Sequence, residues 1–568
     1  MTDRVWINGN IITMDGALPC AEAFAADSSG RITYVGDNKT ALLTAGITHW
    51  TEDALADRKP RTFEKAQGDR KVTVTDLAGC TVTPGFIENH CHLMMYGQSL
   101  LELPIRDRSK EEILSMAAEA AKSLAPGEWL VGGMGWNNEV WEDPSYPTKE
   151  ELDQVCADNP VMMPRMDGHM IWVNSKALEV CGVTADTPDP EGGEFFRNED
   201  GALQGCCANA ASQLIKSFIP KPDEEARRKA YLAAQDAMLS FGITTVTDMS
   251  TSLEMVRDVK RLIGAGELKL RFYGNLRNEN GGFTGENASG EEKEYFEKCP
   301  EIGLFNDHFT VRSCKFLGDG SVGAQSAHML TDYSDRPGHK GIGMYTDEEL
   351  YRNFLAAAEH GMQITIHSIG DATIDQVLRT YERVLKEVPN PDHRFRIEHF
   401  QTVTGDTPQR AYALHVIPSM QPMHAPNSAS MAARRLGEER IHGAYAAGLV
   451  LKSAGIVALG SDAPVATPRV MSGIHAAVTR TNDSLQPAGG FCMENAITPE
   501  EALKGYTIWG AYTQFAENVR GSISAGKCAD FVIMDRDVLK VAHDVPDELL
   551  DIRILGTYID GECVYSCG

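Results

Sequence analysis

Residues Thr83–Gly97 read TPGFIENHCHLMMYG, a short apolar run that ends in two histidines one residue apart. In an extended strand, residues i and i+2 project from the same face, so the imidazoles of His90 and His92 can converge on one ion. Alone, the pair is better read as surface or packed histidines, because short matches of this kind occur by chance. Cys91, between them, faces the opposite way and reads as a small buried apolar residue.

The stretch opens a long pattern. From about residue 81 to 465, short apolar runs alternate with helix-length segments such as DEEARRKAYLAAQDAMLSFG and TDEELYRNFLAAAEHG. That alternation predicts repeated βα units around a parallel sheet. Strands are expected at Thr83–Asn89, Thr244–Met249, Arg271–Asn275, Val311–Phe316, Ile364–His367, Phe395–His399, Val416–Met420 and Ile456–Ser461. Eight runs fit an α/β chain of the (β/α)8 barrel type, whose active site lies at the C-terminal ends of its strands.

The flanks differ. VWINGNIITM and ITYVGD near the start, and ADFVIMD and ILGTYIDGECVY near the finish, alternate apolar and polar residues as half-buried strands do. A small β-sandwich built from both ends follows, over residues 1–80 and 516–568, with 466–515 as a helical continuation of the barrel. Residues 38–70 are expected to be a polar, irregular or helical interruption. The long gap after the first barrel strand, about 100–220, reads as an insertion over the barrel mouth, where such segments shape substrate access.

Composition excludes several functions. Lys and Arg number 53 against 80 Asp and Glu, a net charge of −27 spread along the chain, which argues against nucleic-acid binding through a basic face. The first residues lack the apolar core of a secretory signal, and no window offers about 18 uninterrupted apolar residues. A cytoplasmic protein acting on a small molecule, away from membranes, is expected. The 13 cysteines are scattered without a CxxC spacing, so neither a disulfide framework nor a zinc knuckle is supported.

Other strand ends carry residues of the same chemical kind. QITIHSIGD holds His367, FRIEHFQ holds His399, and IVALGSDAPV holds Asp462. Each could singly be a satisfied histidine or a helix-capping aspartate. Agreement among four strand ends is hard to ascribe to chance. A fifth, VRSCKFLGDG, places Lys315 on a strand that should be apolar. It either pairs with a carboxylate such as Asp319 or, as a neutral amine, takes up carbon dioxide to give a carbamate able to bridge two metals.

TPGFIENHCH, KFLGDGS, IHSIGD, IEHFQ and ALGSDAPV, in this order, resemble the amidohydrolase superfamily. The internal stretches GMGWNNEVW, PRMDGHMIWVNSKAL and PDPEGGEFFRNEDGALQG are similar to its branch of YtcJ-type metal-dependent hydrolases and N-substituted formamide deformylase. The resemblance runs from about residue 5 to 565. It implies a hydrolytic metal centre in which His90, His92 and Asp462 hold one ion and His367 and His399 another, with Lys315 bridging as its carbamate. One or two zinc ions are expected, since imidazole and carboxylate suit zinc. Asp462 would also be the catalytic base.

His169 and Trp136 lie in family-like stretches outside the ligand motifs and are assigned to the substrate pocket, with a core histidine and simple packing as the competing readings. His328 and His424 follow strand ends and could face substrate, although an ordinary loop position reads the same way.

The reaction implied is hydrolysis of a non-peptide C–N bond in an amide, N-acyl or N-formyl compound. The alternatives are deamination of a heterocyclic amine at a single metal, which would not need Lys315, and a non-catalytic metal-binding scaffold. The scaffold ranks last because every expected ligand residue is present. A homodimer is the expected assembly.

Overall fold

The computed structural model describes residues 2–48, 59–67, 70–106, 108–133, 135–138, 141–166, 170–278, 283 and 288–567. The chain forms two compact units, Met1–Leu93 with Gln235–Gly568, and Met94–Ala234.

Eight parallel strands make the barrel of the first unit: β1 (Phe86–Cys91), β2 (Ile243–Thr251), β3 (Arg271–Arg277), β4 (Phe309–Leu317), β5 (Gln363–Ser368), β6 (Arg396–His399), β7 (Ile417–Met420) and β8 (Ala458–Leu459). They follow one another around the sheet in chain order. Beyond β8 the ring closes on β1 through a parallel Cys91–Ala463 bridge, with Asp462 N donating to His90 O at 2.7 Å and His92 N to Ala463 O at 2.9 Å. The strand ends that carry His90, His92 and Asp462 are thereby stitched together.

The helices attach by their apolar stripes. Helix Asp371–Glu387 buries Ile374, Val377, Leu378, Tyr381 and Val384, the i, i+3, i+4, i+7 spacing of one helical face. Each such side chain contributes about 1.5–3 kcal/mol when fully buried, and Leu378→Ala should cost about 2–5 kcal/mol. Helix Asp347–Glu359 begins at a capping box in which the Thr346 side chain accepts from Glu349 N and the Glu349 carboxylate accepts from Thr346 N.

The sandwich draws on both flanks. One sheet holds Thr2–Ile7, Ala23–Asp27, Ile32–Gly36, Arg61–Gln67 and Arg70–Asp76. The other joins Asn10–Ile12, Cys20–Ala21 and Thr81–Pro84 to Phe531–Met534, Ile554–Ile559 and Glu562–Ser566. Trp6 stacks on Phe24 with ring centroids 4.7 Å apart, and Phe531 meets Trp6 edge-on at 4.9 Å. These aromatic contacts fasten the first strand to a strand more than five hundred residues away.

Two expectations need correction. Thr83–Asn89 is not one strand: Thr81–Pro84 pairs antiparallel with Phe531–Met534 in the sandwich, and Phe86–Cys91 pairs with β2 in the barrel. Gly85 sits at the change of sheet, where a Cβ would overlap the Thr244 side chain. Among the described residues of 38–70 the helix covers Asn38–Thr44, and Arg61–Gln67 pairs antiparallel with Arg70–Asp76 at the sheet edge. These two strands are rich in Lys and Arg, which hides their periodicity and suits an edge strand.

The second unit carries its own five-stranded sheet, ordered Leu130–Val131, Val161–Pro164, Met170–Val173, Leu203–Asn209, Gly193–Arg197. Among the described residues, no helix is long and apolar enough to cross a membrane.

Candidate metal centre

The C-terminal strand ends bring His90, His92, His399 and Asp462 into one cluster. Asp462 Oδ1 lies 3.4 Å from His90 Nε2 and 3.2 Å from His92 Nε2. One donor atom each from His90, His399 and Asp462 falls within 4.8 Å of the others. His367 joins them, its ring centroid 4.5 Å from that of His399. His399 and Asp462 have φ of 70° and 62°. Non-glycine residues adopt such values at a cost, and strain of this kind gathers at functional sites.

The far side of each ring is engaged, which fixes its orientation. His90 Nδ1 lies 2.6 Å from Glu398 Oε2, and His399 Nδ1 lies 2.7 Å from Gln421 Oε1. His92 Nδ1 meets Ser250 Oγ. His367 is turned the other way, its Nε2 3.1 Å from Gly320 O and 3.6 Å from Asp319 Oδ1, which leaves Nδ1 as its free lone pair. With Nδ1 donating to Glu398 or Gln421, the Nε2 atoms of His90 and His399 present lone pairs to the cluster.

Glu398 is itself clamped. Arg396 Nε donates to its Oε1 at 2.8 Å and Nη2 to its Oε2 at 3.1 Å, and all of these side chains are buried. Burial alone would raise the Glu398 carboxyl, but Arg396 and His90 bring it down to about 2.

The remaining groups take complementary protonation states. Burial pushes His367 down to about 4, helped by the charge of Lys315, and His399 well below the usual histidine range, helped by His367 and His90. Burial opposes ionisation of Asp462, yet the charge of His90 and the nearness of the His90 and His92 rings hold it well below the usual carboxylate range. His90 moves the other way, raised by Asp462 and Glu398 although burial opposes it, and a divalent cation bound there would take the place of its proton.

The donor set fits such an ion. His90 Nε2 is buried without a hydrogen-bond partner, an orphaned acceptor that a cation would satisfy. Lys315, on β4 and only 6% exposed, stands in register with Thr365 of β5. Asp319, considered from sequence as its partner, accepts from the backbone N–H groups of His328, Ile369 and Gly370 at 2.8–3.0 Å.

The predicted substrate residues divide. His424, at the start of helix His424–Asn427, lies parallel to His399 with centroids 6.3 Å apart, and its buried Nε2 has no partner. His328 sits in the loop after β4, its Nδ1 likewise buried without a partner. Trp136 is fully buried in the core of the second unit, where its indole N–H donates to Met163 O at 2.7 Å and its ring stacks on Trp141. His169 lies outside the described residues.

Sequence reasoning missed Glu398, Gln421 and Ser250. Arg396 and Glu398 carried a visible signal, two opposite charges at i and i+2 on one face of a strand expected to be buried. Gln421 and Ser250 carried none.

A parallel barrel with imidazoles and a carboxylate converging at its C-terminal strand ends is the architecture of a metal-dependent hydrolase. The chain belongs to the amidohydrolase family, whose model matches residues 73–565. It is 30% identical to Protein LONG AFTER FAR-RED 3 of Arabidopsis thaliana, over all of this chain and 92% of that protein. To N-substituted formamide deformylase of Arthrobacter pascens it is 27% identical, over all of this chain and 99% of the relative. A metal-dependent hydrolase of uncharacterised function from Pyrococcus furiosus superposes with a TM-score of 0.74 at 25% identity, over 94% of this chain and 99% of that one.

Proposed function

We propose that the protein hydrolyses a non-peptide C–N bond of a small molecule, in an amide, N-acyl or N-formyl group. The observation that carries this reading is the position of Asp462, an ionised carboxylate 3.2–3.4 Å from two imidazole nitrogens that the barrel holds ready for a cation. The full-length similarity to a protein named for deformylating N-substituted formamides supports the choice of bond.

In this reading His90, His92 and Asp462 would hold one divalent ion and His367 and His399 a second, with Lys315, as its carbamate, contributing to both, and the metal would be zinc. A divalent ion supplies water of lowered pKa, roughly 7, and polarises a carbonyl. The remaining work falls to the chain. Glu398 and Gln421 keep His90 and His399 in the ligating tautomer. Asp462 accepts a proton from the attacking water, whose oxygen bonds to the carbonyl carbon. As the C–N bond breaks, Asp462 returns that proton to the departing nitrogen. His424, beside His399 with a free ring nitrogen, is placed to orient the substrate.

The test is a panel of N-formyl, N-acyl and cyclic amides given to metal-loaded and chelator-stripped protein, with product masses recorded. The reading expects equimolar amine and carboxylic acid, or the ring-opened amino acid from a cyclic amide, from the loaded protein alone. Undiminished turnover by the stripped protein, or ammonia released from a heterocyclic amine instead, would overturn it.

A further inference from the structure

His442, Cys492 and Glu494 gather a second set of metal-binding side chains, outside the barrel cluster. One donor atom of each lies within 4.8 Å of the others. His442 stands in a single 3₁₀ turn, Ile441–Gly443, and Glu494 in another, Met493–Asn495, which Cys492 precedes. The two turns are held against each other. Asn495 Nδ2 donates to His442 O at 2.9 Å, Cys492 Sγ points to Ile441 O at 3.8 Å, and His442 Nδ1 meets Glu494 Oε1.

An imidazole beside a carboxylate on the surface is an ordinary pair of small worth. His543 and Glu500 make one at 2.7 Å, and no third such donor gathers there among the described residues. At His442 the sulfur makes the difference, because thiolate, imidazole and carboxylate together are a ligand set of zinc. A tetrahedral ion with bonds of about 2.0–2.3 Å sets its ligands roughly 3.3–3.8 Å apart. The His442 and Glu494 side chains are exposed, so small rotations bring the three donors to that spacing. Cys528, Asp530 and Asp560 are grouped as well, but Arg271 already pairs with both carboxylates and leaves a cation little to neutralise.

We propose that His442, Cys492 and Glu494 bind one zinc ion, with water as the fourth ligand. Burial and Glu494 raise the Cys492 thiol, while the Arg480 charge works against them. Zinc takes the place of the thiol proton, and thiolate and carboxylate together cancel the charge of the ion. The ion clamps two segments that follow the barrel cluster in the chain. Val403 N donates to Gly443 O and Tyr445 N to Gln401 O, which fastens the His442 turn to the residues just beyond His399. Phe491 N donates to Arg480 O and Ile497 N to Ala477 O, which fastens the Cys492 turn to the helix Val470–Thr479 and its end, beyond Asp462. This site does not rest on the reaction proposed above.

Cobalt(II) in place of zinc tests it without turnover. The barrel cluster offers nitrogen and oxygen donors, with Cys91 Sγ turned away to Thr247 O, so a thiolate-to-cobalt charge-transfer band in the near ultraviolet reports a cysteine site. Cobalt-reconstituted wild type should show the band, and Cys492→Ser should lose it. His442→Gln and Glu494→Gln should weaken or shift it, and replacement of the exposed Cys20, Cys563 and Cys567 by Ser should leave it intact. Crystals of zinc-loaded wild type should show an anomalous peak bounded by His442, Cys492 and Glu494, which decides the matter even where a variant fails to fold. No band in wild type, a band that survives Cys492→Ser, a band indifferent to both His442→Gln and Glu494→Gln, or no peak in the zinc-loaded crystals overturns the proposal.

Discussion

Glu398 Oε2 lies 2.6 Å from His90 Nδ1, with side-chain exposures of 0% and 1%. A carboxylate behind an imidazole sets its tautomer and raises the basicity of the opposite nitrogen. Glu398→Gln keeps the shape and removes the charge, so metal affinity should fall about 10–100-fold, read by competition with a chromogenic chelator. Glu398→Ala should lose about 3–5 kcal/mol of stability in urea unfolding, because Arg396 is left buried and unpaired. Wild-type metal affinity in Glu398→Gln would contradict this role.

Lys315→Ala should lose metal and activity together. If the carbamate is the bridging group, a short carboxylic acid in the buffer should restore part of both, since a free carboxylate can stand where the carbamate stood. Intact-protein mass under carbon dioxide gives an independent reading, an added carboxyl in wild type that is missing from the variant.

Gly460 occupies the seam between β8 and β1. A Cβ there would come within 2.5 Å of Glu88 Oε1 and 2.7 Å of His90 N. Glu88 Oε1 accepts from both His90 N and Ser461 N, so displacement of that carboxylate disturbs both strand ends at once. Gly460→Ala should therefore cost about 1–3 kcal/mol by overpacking and weaken metal binding as well. Calorimetry with and without zinc separates the two effects.

Far from the cluster, Asp560 accepts from Arg271 at 2.6 Å and pairs with His308 at 2.9 Å. Burial works against its ionisation, but His308 and Arg271 hold it at about 2. A folded-state pKa below the unfolded one near 3.8 gives stability that is complete above that value and lost as pH falls through about 2. Asp560→Asn should cost roughly 2 kcal/mol at pH 7, with the gap to wild type closing as pH falls below about 4. A gap that stays constant down to pH 2 would show the ion pair to be unimportant.

The barrel strands were legible because each is a short apolar run bounded by a helix-length segment, and the site because its residues stand at strand ends where the fold gathers function. The handover at Pro84–Gly85 blurred into one strand, since both of its halves are apolar and only pairing with Phe531–Met534 separates them. The pairing of Arg61–Gln67 with Arg70–Asp76 was hidden by edge-strand charges. Ser250 and Gln421 could not be found from sequence. Each is a common polar residue whose meaning lies in a hydrogen bond to a histidine 158 or 22 positions away.

The central claim, that the strand ends form a metal centre, is tested most directly by crystals of zinc-loaded protein with data on both sides of the zinc edge. The account predicts an anomalous peak bounded by His90, His92, His399 and Asp462, lost in His90→Ala crystals. An empty cluster in zinc-loaded crystals, together with full activity in chelator, would contradict it.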